Sequence, residues 1–478
     1  MGRTLRTFRV RVLGCRVNHA ERREIESVLR ARGLHEAAPG CSSDIEIVHT
    51  CSVTARAAAK SRQAARKAAR GGEHPPVVLI TGCLAGSDPD EAADLARGGG
   101  RTFGHEVPVP EAVAAWIDAT MAGEIGQTDP RDATPPAPQA PVAPSAILHL
   151  PLAEPPRHAS SHIRAEVRVQ DGCDAYCTFC IIPRTRPVLR TKPVSVVLDE
   201  ARRLIDLGHQ EIVLAGIFLG AYGRGTALRR KQHALGGDPL GELVDAVAGL
   251  PGLRRLRLSS LEPGDVSDEL LAAFTAHRNV VTPHLHLPLQ SGSNEVLRRM
   301  NRQYRIEGYL EMIDRVKGTF ESSGMPPALT TDIMCGFPGE TDDDFQRTLA
   351  VAHQVGFMHM HVFPFSPRAG TAAARWTQDA LPNDRVAARV QRLLNLDAEL
   401  GAAFRTRLLG REVGLFAEQP DPRRVGHWIG RCDHYAMISV KAEADRGDFI
   451  RAIAGRIEDD AIVADGAASR SLPVLNPN

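Results

Sequence analysis

The segment DGCDAYCTFCIIP places Cys173, Cys177 and Cys180 at C-x3-C-x2-C spacing directly behind the strand-like run RAEVRVQ. A thiol-bearing loop at a strand end requires the rest of the chain to build a scaffold around it. The runs QEIVLAGI, RRLRLSS, HLHLPLQ, LTTDIMCGF and MHMHVFPF alternate with helical stretches such as SVVLDEARRLIDLG and DDFQRTLAVAHQVG. With RAEVRVQD they make six β/α repeats, which predicts a barrel or partial barrel whose chemistry lies at the carboxyl ends of its strands.

Ahead of this region, RTFRVRVLGC, SSDIEIVHTC and PPVVLITGC each read as a strand running into a loop, and SVTARAAAKSRQAARKAAR reads as a helix. The three strands end at Cys15, Cys51 and Cys83, and parallel strands would bring those thiols to one crevice. Nine prolines lie between Asp129 and Pro156, a composition that favours extended chain and cannot bury a core. From about Arg411, short strands broken by Gly and Asp (VGLFAEQ, GHWIGRC, AMISVKA) predict a small β-barrel. The fold class is therefore α/β: a parallel-sheet domain over 1–128, a linker over 129–156, a partial (β/α)6 barrel over 157–405 and a β-barrel over 406–478.

Composition agrees with a folded enzyme-sized chain, since 478 residues exceed one ordinary core and 43% apolar with 24% charged residues is average for globular proteins. No run approaches the roughly 18 to 20 apolar residues of a membrane helix. The amino terminus lacks the apolar run of a secretory signal, so a cytoplasmic location is expected. A net charge of +1 gives no whole-molecule attraction to nucleic acid, which leaves that argument to local patches. Neither a GxxxxGK[ST] loop nor a strand-linked GxGxxG occurs, against an ordinary nucleotide-triphosphate or dinucleotide enzyme.

Nine cysteines in a chain of this kind point to metal binding or catalysis rather than a disulfide framework. Three thiolates from one loop can hold three corners of a four-iron, four-sulfur cube and leave one iron open for chemistry. The alternatives are unligated thiols or zinc, although a structural zinc wants four closed ligands and no fourth Cys or His lies within a few residues of Cys180. Cys41, Cys335 and Cys432 have no ligand-spaced partners and read as structural or incidental.

This spacing, at the first loop of a β/α barrel, resembles the radical S-adenosylmethionine superfamily. With Cys15, Cys51 and Cys83 ahead of the barrel and a β-barrel behind it, the whole order resembles its methylthiotransferases. The resemblance implies two [4Fe-4S] clusters and S-adenosyl-L-methionine as cofactors. The Cys173, Cys177, Cys180 cluster would chelate S-adenosylmethionine at its open iron and generate a 5′-deoxyadenosyl radical. The Cys15, Cys51, Cys83 cluster would hold the sulfur destined for the substrate. TDIMCGFPGET resembles the family's fifth-strand motif, so Ile333 and Gly336 are expected behind the adenine. AGIFLGAYG resembles the turn that meets the methionine amino group at Gly216, with Ala215 and Phe218 in place of the usual Thr and His. PRTRPVLRTKP carries Pro187 and Leu189 where a Gly and a Glu are usual, and HLHLPLQSGS offers Gln290 and Ser291 as polar contacts. His284 and His286 alternate on one strand face and read as packed, hydrogen-bonded side chains rather than metal ligands.

Within the family, LGCRVN, AGIFLGAYG and LSSLEPGDVSDELL look most like the branch that methylthiolates N6-threonylcarbamoyladenosine at position 37 of tRNA. The alternatives are the isopentenyladenosine branch, the branch that modifies a ribosomal-protein aspartate, and a non-catalytic iron-sulfur protein that binds RNA or passes electrons. The family reading implies tRNA, an electron donor such as flavodoxin or ferredoxin and a sulfur source as partners, with no membrane and a monomeric chain. Arg56, Lys60, Arg62, Arg66, Lys67 and Arg70 fall within an arc of about 160° on one helix face with no acid between them; an ordinary solvated face is the alternative, and the position just after Cys51 favours phosphate contact with tRNA. WIGRCDHYAMISV is the clearest segment resembling the small RNA-binding barrel, called TRAM, that closes such chains.

Overall fold

The computed structural model describes residues 5–70, 75–97, 99–123, 163–232, 237–322, 324 and 326–471, the side chains of 232 and 465–471 excepted. The proline-rich linker expected at 129–156 lies outside the described residues.

The first sheet has five strands, all parallel, with Thr7–Val12, Ile45–Thr50 and Val77–Gly82 at its centre and two-residue strands at its edges. Every residue of Ile45–Thr50 and Val77–Gly82 is buried, as expected for strands covered on both faces. One face packs Ile25 and Leu29 of the helix Arg16–Ala31 and Val113 and Ile117 of the helix Val109–Met121. The other packs Ala65 and Ala68 of the helix Ala55–Ala68 and Leu84 and Leu95 beyond the third strand. The helix Ala55–Ala68 starts where Thr54 accepts a bond from Ala57 N at 3.1 Å, which satisfies one of the amides a helix start leaves free.

The barrel strands Arg164–Asp171, Glu211–Gly216, Arg255–Leu258, His284–His286, Ala328–Cys335 and His359–Pro364 are parallel and paired in chain order. They form two sheets joined by the bridge Leu256–Val281, which makes the wall a partial barrel. Alternation along the strands sends Leu256, Leu285 and Ile333 into the layer under the helices. The helix Asn383–Leu408 leads to the last sheet, of six strands. That sheet curls into a half-barrel, with the bridge Leu415–Cys432 bringing its first strand toward the turn after His427–Arg431. Among the described residues no helix is long and apolar enough to cross a membrane.

Candidate functional site

Parallel order brings the first cysteine trio together. Cys15 caps the helix Arg16–Ala31, Cys51 follows Ile45–Thr50, and Cys83 opens the short helix Cys83–Ser87 behind Val77–Gly82. The three strands are neighbours in the sheet, so the thiols share its carboxyl edge. Gly14 has φ +105° and stands so close that a Cβ there would lie 2.8 Å from Cys51 Sγ, so only glycine allows the approach.

The second trio rides a loop whose backbone is tied down elsewhere. Asp174 accepts from Thr226 Oγ1 and Ala227 N at 2.6 Å each, Thr178 N donates to Met300 O at 3.0 Å, and Asn301 Nδ2 donates to Tyr176 O at 2.9 Å. The thiols keep their own donors: Ala175 N lies 3.4 Å from Cys173 Sγ, and Arg302 Nη1 lies 3.2 Å from Cys177 Sγ while Nη2 is held by Glu262. N–H groups aimed at sulfur suit thiolate ligands, and the donor set at each trio is thiol alone. Burial pushes the Cys51 and Cys180 thiols up to about 12, and the Cys83 thiol adds to the rise in both. Thiols held protonated in this way lose their protons when a metal binds.

All nine cysteines are free. Cys335 and Cys432 are buried in core clusters and Cys41 is exposed, its carbonyl accepting from Arg9 at 2.7 Å.

Between the trios lies a buried ionic network that no spacing in the sequence reveals. Arg186 donates to Asp171 at 2.6 Å, to Asn18 at 3.0 Å and to Glu21 at 2.5 Å; Arg168 reaches Glu21 at 3.1 Å and Asp171 at 2.9 Å. Burial alone would raise the Glu21 carboxyl, yet Arg186 and Arg168 hold it well below its ordinary range. Glu21 and Asn18 belong to the first α/β unit and the other three residues to the barrel, so a dry set of charges locks the two thiol-bearing units together.

Phe218 and Leu189 are two of the four residues that depart from the family pattern; Phe218 forms a small apolar cluster with Ala175, Ala221 and Ala227, and Leu189, Cys173 and Cys177 each pack against that cluster. Ala215 is fully buried. Gly216 ends its strand beside Leu219 Cα and Gln170 Oε1, which a Cβ would meet at 2.9 and 3.1 Å. Gln290 has φ +58°, pairs with Ile333 across the strands, and leaves its side-chain Oε1 buried without a partner. Ser291 is fully buried, its Oγ accepting from Ser293 N at 3.2 Å and lying 3.4 Å from Thr348 Oγ1. Ile333 is fully buried, and Gly336 N donates to Glu340 at 2.9 Å.

A cavity of about 1040 Å³ runs from Cys15 and Gly216 past the barrel strands to the last sheet. His284, His286, His359 and His361 line it together with Arg16, Arg431 and Tyr435. His284 Nε2 and His286 Nδ1 both meet Thr330 Oγ1, at 3.1 and 3.0 Å, which is the packed role their alternation suggests. His286 Nε2 also lies 3.4 Å from Asp332 Oδ1.

On the helix Ala55–Ala68, Arg56, Lys60, Arg66 and Lys67 are exposed, as is Arg70 just beyond it. Arg62 departs from the expected free face: it is half-buried and paired with Glu91 at 2.7 Å, an acid brought in from the helix Pro89–Leu95. Arg66, Lys67 and Arg70 border a cavity of about 870 Å³ with Arg9 and Arg11, which Glu46 neutralises at 3.0 and 2.7 Å.

The model of the radical SAM superfamily matches residues 167–352, and that of "Uncharacterized protein family UPF0004" matches 7–99; each spans one cysteine trio. The threonylcarbamoyladenosine tRNA methylthiotransferase MtaB of Bacillus subtilis (strain 168) is 31% identical over 92% of this chain and 91% of its own. The tRNA-2-methylthio-N(6)-dimethylallyladenosine synthase of Erythrobacter litoralis (strain HTCC2594) is 30% identical over 93% and 94%. In fold, the chain is similar to the radical S-adenosylmethionine methyltransferase TsrM from Kitasatospora setae, with a TM-score of 0.51 and 14% identity over 78% of this chain and 77% of that one. Relatives that match nearly end to end at 30% and 31% identity, across both trios, make this chain a member of the radical SAM methylthiotransferase family.

Proposed function

We propose that this chain converts N6-threonylcarbamoyladenosine at position 37 of tRNA to its 2-methylthio derivative. In this reading Cys173, Cys177 and Cys180 hold one [4Fe-4S] cluster and Cys15, Cys51 and Cys83 the other. S-adenosylmethionine lies against the barrel wall at Gly216, Gln290, Ser291, Ile333 and Gly336. The thiol-only donor sets and the unpartnered Gln290 Oε1 fit those groups. When bound, they supply one-electron chemistry at an unactivated C–H bond and a sulfur atom to place there.

The protein's own part is orientation and exclusion of water. Arg302 and Ala175 donate to the sulfurs of Cys177 and Cys173, and the apolar cluster that contains Phe218 packs beside the same two cysteines. The cavity at Cys15 gives the base a place beside the sulfur-bearing trio, where proximity replaces a second-order encounter. Exposed Arg66, Lys67 and Arg70 supply the RNA-facing charge, and the half-barrel is the second RNA-binding element. The protein works as a monomer with an external electron donor, such as flavodoxin or ferredoxin, and an external sulfur source.

Relatives named for threonylcarbamoyladenosine and for dimethylallyladenosine match this chain alike, so their names do not choose the base. The observation that carries the choice is the pair Arg16 and Arg431, set in a wall that also carries apolar side chains such as Ile182 and Met437: two guanidinium groups suit an anionic substituent and offer nothing to an uncharged branched hydrocarbon. The test is nucleoside mass spectrometry after incubating the reconstituted protein with two tRNAs, one bearing each modified adenosine. The methylthio product should appear on the threonylcarbamoyl tRNA; product on the other tRNA alone reverses the assignment.

A further inference from the structure

Five arginines line the cavity wall beside Cys15, and they divide into two kinds. Arg405 pairs with Asp460, Arg423 with Asp459, and Arg424 with Asp421 and Glu458. Arg16 and Arg431 make no ion pair among the described residues. Both are half-buried and both converge on Tyr435: Arg16 Nη2 is 3.1 Å from its hydroxyl, and the Arg431 guanidinium sits 4.6 Å over its ring while Nη1 donates to its carbonyl at 3.2 Å. Tyr435 is itself fixed, with φ +65° and its ring stacked on His284 at 4.6 Å. His284 is buried and its Nδ1 has no partner.

Two half-buried guanidinium groups without a counter-ion, held on a rigid phenol, are an arrangement that an anion completes. Arg16 directly follows Cys15 in the chain, and both line the cavity that Arg431 shares, which puts the anion site beside the sulfur-bearing trio.

We propose that Arg16 and Arg431 clamp a carboxylate carried by the substituent on the target adenine, with Tyr435 and His284 as the platform that orients them. This rests on the threonylcarbamoyladenosine reading, because that substituent bears a carboxylate at neutral pH and a dimethylallyl group bears no charge. An RNA phosphate would satisfy the same two arginines, and the choice of ligands in the test separates the two sources.

The experiment measures binding of three anticodon stem-loop RNAs to the reconstituted full-length protein: one with N6-threonylcarbamoyladenosine at position 37, one with its methyl ester and one with plain adenosine. Wild type should bind the acid at least about tenfold more tightly than the ester, the scale of a lost charge-assisted bond. Arg431→Gln should erase that ratio and Arg431→Lys should keep part of it, which separates loss of charge from loss of fold; Arg16→Gln should behave like Arg431→Gln. If Arg431→Gln weakens all three RNAs equally, the clamp holds a phosphate and the inference is overturned. If wild type methylthiolates the threonylcarbamoyl RNA yet binds acid and ester alike, the inference fails while the functional reading stands. If it acts only on isopentenyladenosine RNA, the reading fails and the inference with it.

Discussion

Asn18 Oδ1 accepts a hydrogen bond from Arg186 Nη2 at 3.0 Å, across 168 residues of chain. Asn18 also stands 3.7 Å from Cys15 Sγ, and Arg186 O accepts from Cys173 N at 3.3 Å, so this bond links the two trios. Around it Arg186 and Glu21 form an ion pair with both side chains fully buried.

Removing Arg186 would leave Glu21 and Asp171 sharing Arg168 alone in a dry interface. Arg186→Met should therefore cost about 3–5 kcal/mol, the scale for breaking a buried pair. Urea unfolding of the purified protein should show the midpoint falling accordingly. Arg298→Ala breaks an ion pair whose side chains are 65% and 57% exposed, and should leave the midpoint in place.

A second buried network gives a pH dependence with a definite sign. Burial would raise the Glu211 carboxyl, but Arg257, Arg255 and Arg164 lower it from 4.5 to about 2. Arg255 also donates to Gly414 O at 2.9 Å and Arg257 to Cys432 O at 2.8 Å, so the cluster ties the barrel to the last sheet. A depressed carboxyl contributes stability that is complete above pH 4.5 and is lost as pH falls toward 2, roughly 3 kcal/mol in all. Glu211→Gln should lower the denaturation midpoint at neutral pH and flatten its slope below pH 4.5; a parallel acid slope in the variant would move the effect to another group.

The cysteines were legible because their meaning is local. C-x3-C-x2-C is a short-range pattern, and strands that end at Cys15, Cys51 and Cys83 converge through parallel pairing alone. Arg302 at Cys177 and the Glu21 network were not legible, since partners 125 to 165 residues apart leave no spacing to read. Arg62 shows the same limit: its helix face has no acid in sequence, yet Glu91 arrives 29 residues later and neutralises it. Phe218 and Leu189 read as lost polar contacts in the sequence, and folding shows them instead in and against the small apolar cluster on which Cys173 and Cys177 pack.

The Arg62–Glu91 pair sharpens the expectation for RNA binding. Changing Arg66, Lys67 and Arg70 together to Glu should weaken tRNA affinity and reduce the slope of log K against log salt by about 2 to 3, one phosphate contact per side chain. Arg62→Ala should do much less, because its charge is already spent on Glu91. Filter binding across a salt series reads both, and an unchanged slope in the triple variant would return this helix to ordinary solvated surface.

The two trios should separate by function as well as by position. After anaerobic reconstitution the chain should carry about eight irons and eight sulfides, from two cubane clusters. Replacing Cys173, Cys177 and Cys180 by Ala should halve the iron and abolish 5′-deoxyadenosine formation. Replacing Cys15, Cys51 and Cys83 should also halve the iron, yet leave reductive cleavage of S-adenosylmethionine in place while the methylthio product disappears. The asymmetry follows from geometry: cleavage needs only the barrel loop with Arg302 and Glu262 behind it, whereas forming a carbon–sulfur bond needs sulfur beside the base in the cavity that Cys15 lines. Quantifying 5′-deoxyadenosine and modified nucleoside from the same reaction decides the matter, and a first-trio variant that still makes the methylthio product removes the sulfur-donor role from Cys15, Cys51 and Cys83.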